Sequence, residues 1–386
     1  MSTSHSPPKH FFLLDLLRGF AALAVVLWHW QHFYYFKNGI DQNFKITQQP
    51  CYSVFYVFYN YGFVAVDLFF LISGFIFFFL YADKISGKKI TTKSFALLRF
   101  SRLYPLHLAT LILVCFLQYF FYAGTGSYFV YTENNYYHFF LNLFFAASWG
   151  IEKGPSFNGP GWSVSVEILL YLLFFIICRF KLNRIFVLAA IMVVALVVQG
   201  FYQPLGRGLY SFFLGGLVYY LYLYLIKSGR ATAVLKFLGI TNLIFIVVIA
   251  IEAKYEFLQY YCQKFLHTNF HYNIIVHGLI FPFFVLYLIL LETIKGAKGK
   301  KLAFIGNISY SSYLLHFPLQ LIIVFFCNKW HINRFHVFNS GYALLCFFTL
   351  LITLSLLSFY FFELPMQTFL RKTLLKKNKE QVVALQ

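Results

Sequence analysis

Charge is scarce in this sequence. Only 11% of its 386 residues are charged, and Asp plus Glu number twelve. A soluble domain of this size carries about a quarter charged residues, so a water-facing globule is excluded. Cysteine is also sparse: Cys51, Cys115, Cys178, Cys262, Cys327 and Cys346 are scattered, with no CxxC. That spacing argues against a cysteine-built metal cage. Cys51 and Cys262 fall in loops expected outside, where they could pair, but two inert thiols are the expected reading. The stretch Met1–His10 lacks a basic segment before a short apolar core and lacks a small-residue cleavage site. The first apolar run is therefore expected to be a retained span and not a cleaved signal. No long polar loop and no internal repeat interrupts the chain, which leaves no room for a soluble domain.

Hydrophobic residues make up 60% of the chain, with 53 Phe and 30 Tyr. They come in runs of roughly 17 to 26, the length that crosses a bilayer as helix. Most of the aromatics are read as lipid-facing bulk and interface anchors. The expected fold class is all-α: a polytopic membrane protein of about ten transmembrane helices with one short re-entrant or interfacial helix. The expected spans are 11–36, 55–82, 103–123, 162–180, 184–200, 207–226, 237–252, 272–294, 302–327 and 340–362. The short stretch 136–149 is the one not expected to cross. The corresponding domain division is an N-terminus at 1–10, a transmembrane domain at 11–365 and a basic tail at 366–386.

The net charge of +19 supports this topology. Nucleic-acid binding needs basic residues gathered on one soluble face; here they sit in short loops, and no nucleic-acid partner is expected. With ten spans and a cytoplasmic N-terminus, 22 of the 31 Lys and Arg fall inside, eight outside, and Arg18 lies within the first span. That bias follows the positive-inside rule and places both termini in the cytoplasm. If 136–149 crossed, most later basic loops would be outside.

An ionisable group inside a span costs several kcal/mol unless it is paired or lines a wet cavity. The intramembrane polar residues Asp15, Arg18, His29, His32, Asp67, His107, Glu167, His277 and His316 are thus the informative ones. Arg18 and His29 are eleven positions apart, about 1,100° of helical rotation, so they share one face some 16 Å apart along the axis. A cation near the cytoplasmic end and an imidazole deeper in suit a long anionic ligand such as acyl-coenzyme A. An arginine that snorkels to the interface and a buried, bonded histidine explain the pair as well. A histidine near the carboxylates of Asp67 or Glu167 suits general-base chemistry, and His316 is a further candidate. Arg99 and Arg102, i and i+3 on one helix face, suit phosphate or lipid headgroups. His29 and His32 are also i, i+3, but no third metal ligand is evident, and no metal is expected.

The ordered motifs carry a resemblance. They are Leu14-Asp15-Leu16-Leu17-Arg18-Gly19 running on to His29, Val66-Asp67-Leu68-Phe69-Phe70 through Ser73-Gly74-Phe75, and Arg99-Phe100-Ser101-Arg102. They continue with Gly161-Trp162-Ser163-Val164-Ser165-Val166-Glu167, Ile308-Ser309-Tyr310-Ser311-Ser312-Tyr313 through His316-Phe317-Pro318, and Phe362-Glu363-Leu364-Pro365. In this order the chain resembles the acyltransferase-3 integral-membrane acyltransferases over nearly its whole length. The resemblance implies transfer of an acyl group, usually acetyl from cytoplasmic acetyl-coenzyme A, to a hydroxyl of an extracytoplasmic carbohydrate or glycolipid. The location it implies is the bacterial cytoplasmic membrane. It also implies roles for His29, Arg18, Arg99, Arg102 and Glu167. The expected assignment is His29, Glu167 and Asp67 for the chemistry, Arg18, Arg99 and Arg102 for the donor, and Trp162 and His316 for the acceptor. The sequence departs from the family pattern at Ala65, Leu98 and Ile168, where a glycine, an arginine and an acid are common. A transporter or flippase of a lipid-linked sugar is the rival reading, because it too needs a polar cavity.

Overall fold

The structure, a computed structural model, describes residues 7–37, 39–255, 260, 261, 264, 276–297 and 299–374. Cys262 and the tail from 375 onward lie outside the described residues. In chain order the helices are α1 (Phe12–Trp28), α2 (Tyr52–Tyr61), α3 (Ala65–Ser86), α4 (Thr92–Thr125), α5 (Tyr136–Leu143), α6 (Trp162–Arg179), α7 (Ile185–Phe201) and α8 (Gln203–Lys227). They continue as α9 (Ala231–Tyr255), α10 (Phe281–Lys295), α11 (Ala303–Asn307), α12 (Ser309–Lys329), α13 (Arg334–Phe338), α14 (Gly341–Leu357) and α15 (Leu364–Leu374). The strands among the described residues are one hairpin, pairing Tyr35 with Ile40 and Phe36 with Gly39.

Nine helical stretches among the described residues are long and apolar enough to cross a membrane, and the seventeen-residue α7 occupies the remaining expected span. The protein is an all-α, polytopic membrane protein. Helix α5 has eight residues and rises about 12 Å, less than half the bilayer core. Asn135 starts it by accepting from the His138 amide at 3.1 Å, as a cap should. Helix α4 is longer than its expected span: Thr91 caps it and Gly126, at φ 72°, ends it, so Arg99 and Arg102 are helical residues. Arg207, one of the eight charges counted outside although it opens the expected span 207–226, lies inside α8, because Pro204 sits in the first turn and starts the helix earlier.

The chain divides into two compact units. The first is drawn from Met1–Ala21, Val64–Asp83 and Lys181–Gly306, and the second from Ala22–Phe63, Lys84–Phe180 and Asn307–Gln386. In the first unit, α3 and α8 touch backbone to backbone. A Cβ at Gly74 would lie 1.9 Å from the Phe212 carbonyl oxygen, and one at Gly215 would lie 2.1 Å from that of Leu71. This contact gives a packing reason for the glycine of the Ser73-Gly74-Phe75 motif. The first amides of α1 have no partner within the helix; Glu292 on α10 accepts from Phe12 N and Leu13 N, each at 3.0 Å.

In the second unit, an aromatic core surrounds the end of the first span. Trp30 is fully buried and donates to the Phe338 carbonyl at 3.1 Å. Phe33 stacks on Phe338 at 3.8 Å between centroids. These contacts fix the turn that follows α1, and that turn carries the candidate site.

Candidate active site

Helix α1 ends at Trp28, and His29–Tyr34 continue as a 3-10 helix. Residues i and i+3 eclipse in that geometry. His29 and His32 therefore stand over one another, ring centroids 4.7 Å apart. Across from them, α12 presents His316 and Gln320 at i, i+4, on one helix face. His316 Nε2 lies 3.0 Å from His29 Nδ1, and the two rings stack at 4.9 Å. Gln320 Oε1 lies 3.0 Å from His32 Nδ1, while its Nε2 donates to the His29 carbonyl at 2.9 Å. All four side chains are buried.

The network selects the protons. Because the Gln320 amide nitrogen is used on the His29 carbonyl, its oxygen faces His32, whose Nδ1 must donate. The Tyr313 and Ser312 carbonyls on the preceding turn act on the His316 ring; its Nε2 is turned to His29, and its buried Nδ1 makes no fully formed hydrogen bond. A lone pair aimed at carbonyl oxygens is repelled, so the proton belongs on that nitrogen. His316 Nε2 then accepts, His29 Nδ1 donates, and the lone pair of neutral His29 is on Nε2. That atom has no hydrogen-bonding partner among the described residues. An imidazole with its Nδ1–H held and its Nε2 open is arranged to take a proton or attack a carbonyl carbon.

The loop before α6 locks α12 in place. Pro318 lies inside α12 and cannot donate to the Leu314 carbonyl four residues back. Asn158 supplies the missing donor, its Nδ2 reaching Leu314 O at 2.9 Å. Tyr313 Oη donates to the Pro160 carbonyl at 2.7 Å and accepts from Ser163 at 2.8 Å. The breaker-rich segment from Gly154 to Gly161 thus bears directly on the turn that carries His316.

A second polar cluster forms nearer the start of α12. Tyr310 donates to the Leu103 carbonyl at 2.6 Å and lies within electrostatic reach of Glu363, Glu167, Arg102 and Tyr171. Tyr171 donates to Glu167 at 2.5 Å. Arg99 stands 5.9 Å from the Tyr171 ring centroid. Glu363, at the end of a π-helical turn over Ser358–Glu363, accepts from Ser311 and, at 2.9 Å, from Ser358. Two of the sequence motifs, 52 residues apart, meet in that contact.

Residues 12–360 match the acyltransferase-3 family, described as an acyltransferase domain. This chain belongs to the acyltransferase-3 family. The match, an acyltransferase domain by description, takes in the apolar helices long enough to cross a membrane. The chain is also 39% identical over 111 residues to "Protein 2 in picA locus" of Rhizobium radiobacter, a match over 29% of this chain and 47% of that protein. The chain thus spans about half the length of that curated relative. No solved structure matches it.

The sequence-predicted site residues fall in both units. His29, His316, Glu167, Arg99, Arg102 and Trp162 belong to the second. Trp162 opens α6 and is half-buried. Arg18 and Asp67 belong to the first unit. Arg18 lies 3.9 Å from Asp15. Asp67 is fully buried and meets Arg207 through both oxygens, at 3.1 and 2.5 Å, with His277 3.4 Å away. Sequence reasoning missed Gln320, Asn158 and Arg207. Gln320 had a usable signal: an amide one turn from His316 inside an apolar span.

Proposed function

We propose that the protein is an O-acetyltransferase of the bacterial cytoplasmic membrane. It takes acetyl from cytoplasmic acetyl-coenzyme A and places it on a hydroxyl of an extracytoplasmic carbohydrate or glycolipid. The observation that carries this reading is the buried His29–His316 pair, which leaves His29 Nε2 as an open base. The basic bias of the loops supports the orientation, with both termini inside.

Two routes fit that imidazole. In the direct route, Nε2 takes the proton of the sugar hydroxyl as its oxygen attacks the thioester carbonyl. The C–O bond forms, the C–S bond breaks, and the proton passes to the departing thiolate. In the covalent route, Nε2 attacks the carbonyl first and expels the thiolate, and the sugar hydroxyl then cleaves the acyl-imidazole, losing its proton. In both routes His316 is a positioning residue that keeps Nδ1–H of His29 in place. Arg99 and Arg102 meet the donor's phosphates, for which arginine forks are suited. Glu167, held by Tyr171, orients this arginine-bearing face. The role of Arg18 in donor binding rests on the family resemblance. Trp162 offers an indole face for stacking on a sugar. For Asp67, the bidentate contact with Arg207 supports a role in holding its own unit together.

Equilibrium binding of acetyl-coenzyme A to protein in nanodiscs tests the donor assignment. Wild type should bind, and Arg99→Gln/Arg102→Gln should bind at least tenfold more weakly. Unchanged affinity in the folded double variant would remove both arginines from the donor site. Acid quenching during a single turnover then separates the routes, since only the covalent one yields an acetylated His29 peptide.

A further inference from the structure

A cavity of about 160 Å³ opens in the second unit, lined by Tyr35, Phe36, Lys37, Tyr128, Phe129 and Arg334 among others. Pockets for drug-sized ligands measure roughly 300–1,000 Å³, so this one admits a single ring-sized group. Five of its eleven lining residues are aromatic, a composition that suits the C–H face of a sugar. The lining also adjoins the imidazole cluster: the His32 ring centroid is 5.7 Å from that of Tyr35 and 6.5 Å from that of Phe129. From His29 to Tyr35 the chain rises about 12 Å in 3-10 geometry.

Arg334 gives the cavity its chemistry. It is 5% exposed. It donates to the Tyr35 carbonyl at 2.8 Å, and its guanidinium carbon stands 3.4 Å from the centroid of Phe36. No carboxylate pairs with it among the described residues; Asp41 acts on it only from beyond ion-pair distance. Burial pulls its guanidinium down to about 10, with Cys327 and Asp41 opposing the shift. A buried cation without a counter-charge is destabilising, and an anion entering the cavity would relieve that. Lys37 adds a second positive charge on the same wall.

We propose that this cavity is an acceptor subsite for a sugar residue bearing an anionic group, a carboxylate or a phosphate, next to the sugar that is acylated. The inference rests on the carbohydrate-acceptor reading given above. It makes the enzyme selective for acidic glycans, and it places the anionic group on a neighbouring residue because of the distance between the cavity and His29.

The test is direct binding, which needs no turnover. Methyl glucoside, methyl glucuronoside and glucose 6-phosphate are titrated by ligand-observed NMR against the full chain in zwitterionic nanodiscs. Charge-assisted hydrogen bonds contribute about 1.5–3 kcal/mol, so the two anionic sugars should bind about 10- to 150-fold tighter than the glucoside. The tighter of the two identifies the anionic group. Arg334→Gln should abolish the preference and Arg334→Lys should keep part of it. Lys37→Gln, on an exposed residue that does not threaten folding, should weaken the preference. Equal binding of all three sugars by wild type would overturn the proposal, as would a preference that survives in folded Arg334→Gln. So would loss of the preference when phosphatidylglycerol is added to the disc, since a lipid headgroup would then be the occupant. Thiol release from acetyl-coenzyme A in the same samples keeps the two readings apart. Release without sugar preference refutes the subsite alone, and preference without release refutes the donor reading alone.

Discussion

Replacing His316 by leucine tests the arrangement around His29. The substitution removes the acceptor 3.0 Å from His29 Nδ1 and puts an apolar side chain where His316, fully buried, had been. His29 then has two options. It can keep Nδ1–H without a partner, at a cost of about 1–3 kcal/mol for a buried unsatisfied donor. Otherwise it can move the proton to Nε2 and lose its base. Either way the productive tautomer is disfavoured by that amount, which lowers kcat about 5- to 150-fold. KM for acetyl-coenzyme A should not change, because the phosphate contacts proposed above, Arg99 and Arg102, do not include His316. His316→Gln should recover much of the rate, since an amide oxygen can accept from Nδ1–H. In the His29→Ala background His316→Leu should have no further effect, as expected for residues acting as one unit. The assay is thiol release over a single turnover by protein in nanodiscs. Full kcat in folded His316→Leu would refute the reasoning. A raised KM with unchanged kcat would instead make His316 a substrate contact.

Three further predictions concern the fold. Gly74→Ala forces a methyl to within 1.9 Å of the Phe212 carbonyl oxygen, and backbone cannot step aside as a flexible side chain can. It should destabilise the protein by at least about 1–3 kcal/mol, read as a lower thermal midpoint in nanodiscs; an unchanged midpoint would contradict the backbone contact. Asp67→Asn removes the fully buried carboxylate that faces the largely buried Arg207 guanidinium and should cost about 3–5 kcal/mol, whereas Asp67→Leu/Arg207→Leu should regain most of that loss. A stable double variant that is still inactive would return Asp67 to the chemistry. His10, bonded to Asp15 at 2.5 Å, titrates above the ordinary histidine value because of that carboxylate. Its contribution to stability is therefore full below about pH 6.5 and is lost as pH rises through the raised folded value. Imidazole NMR should show that value falling in Asp15→Asn, and no change would exclude the pairing.

Much of the helical frame was legible because long apolar runs have few alternatives once charge is so scarce. Loop charge identified 136–149 as a segment that does not cross, and α5 is indeed too short to do so. Helix ends were harder to place. Pro204 starts α8 early and carries Arg207 from the expected start of a span into the helix. Thr91 starts α4 about nine turns before Gly126 ends the helix, by the count of its 34 residues. The candidate site was legible as residue types but not as contacts. His29 and His316 are 287 positions apart, and no local pattern reports their 3.0 Å approach. The change from α-helix to 3-10 helix at His29, which lines up His29 and His32, also leaves no clear periodic trace in the six-residue stretch from His29 to Tyr34. Glu363 was visible as a motif member; its contact with Ser311 became visible only in the fold.

The most direct test of the central claim is thiol release from acetyl-coenzyme A by purified wild type and His29→Ala in nanodiscs, with donor binding measured on both. The account predicts that both bind the donor, that wild type releases thiol, and that His29→Ala does so about 10²- to 10⁴-fold more slowly, the usual contribution of a positioned base. Equal release by the two folded proteins, or no donor binding by wild type, would contradict it.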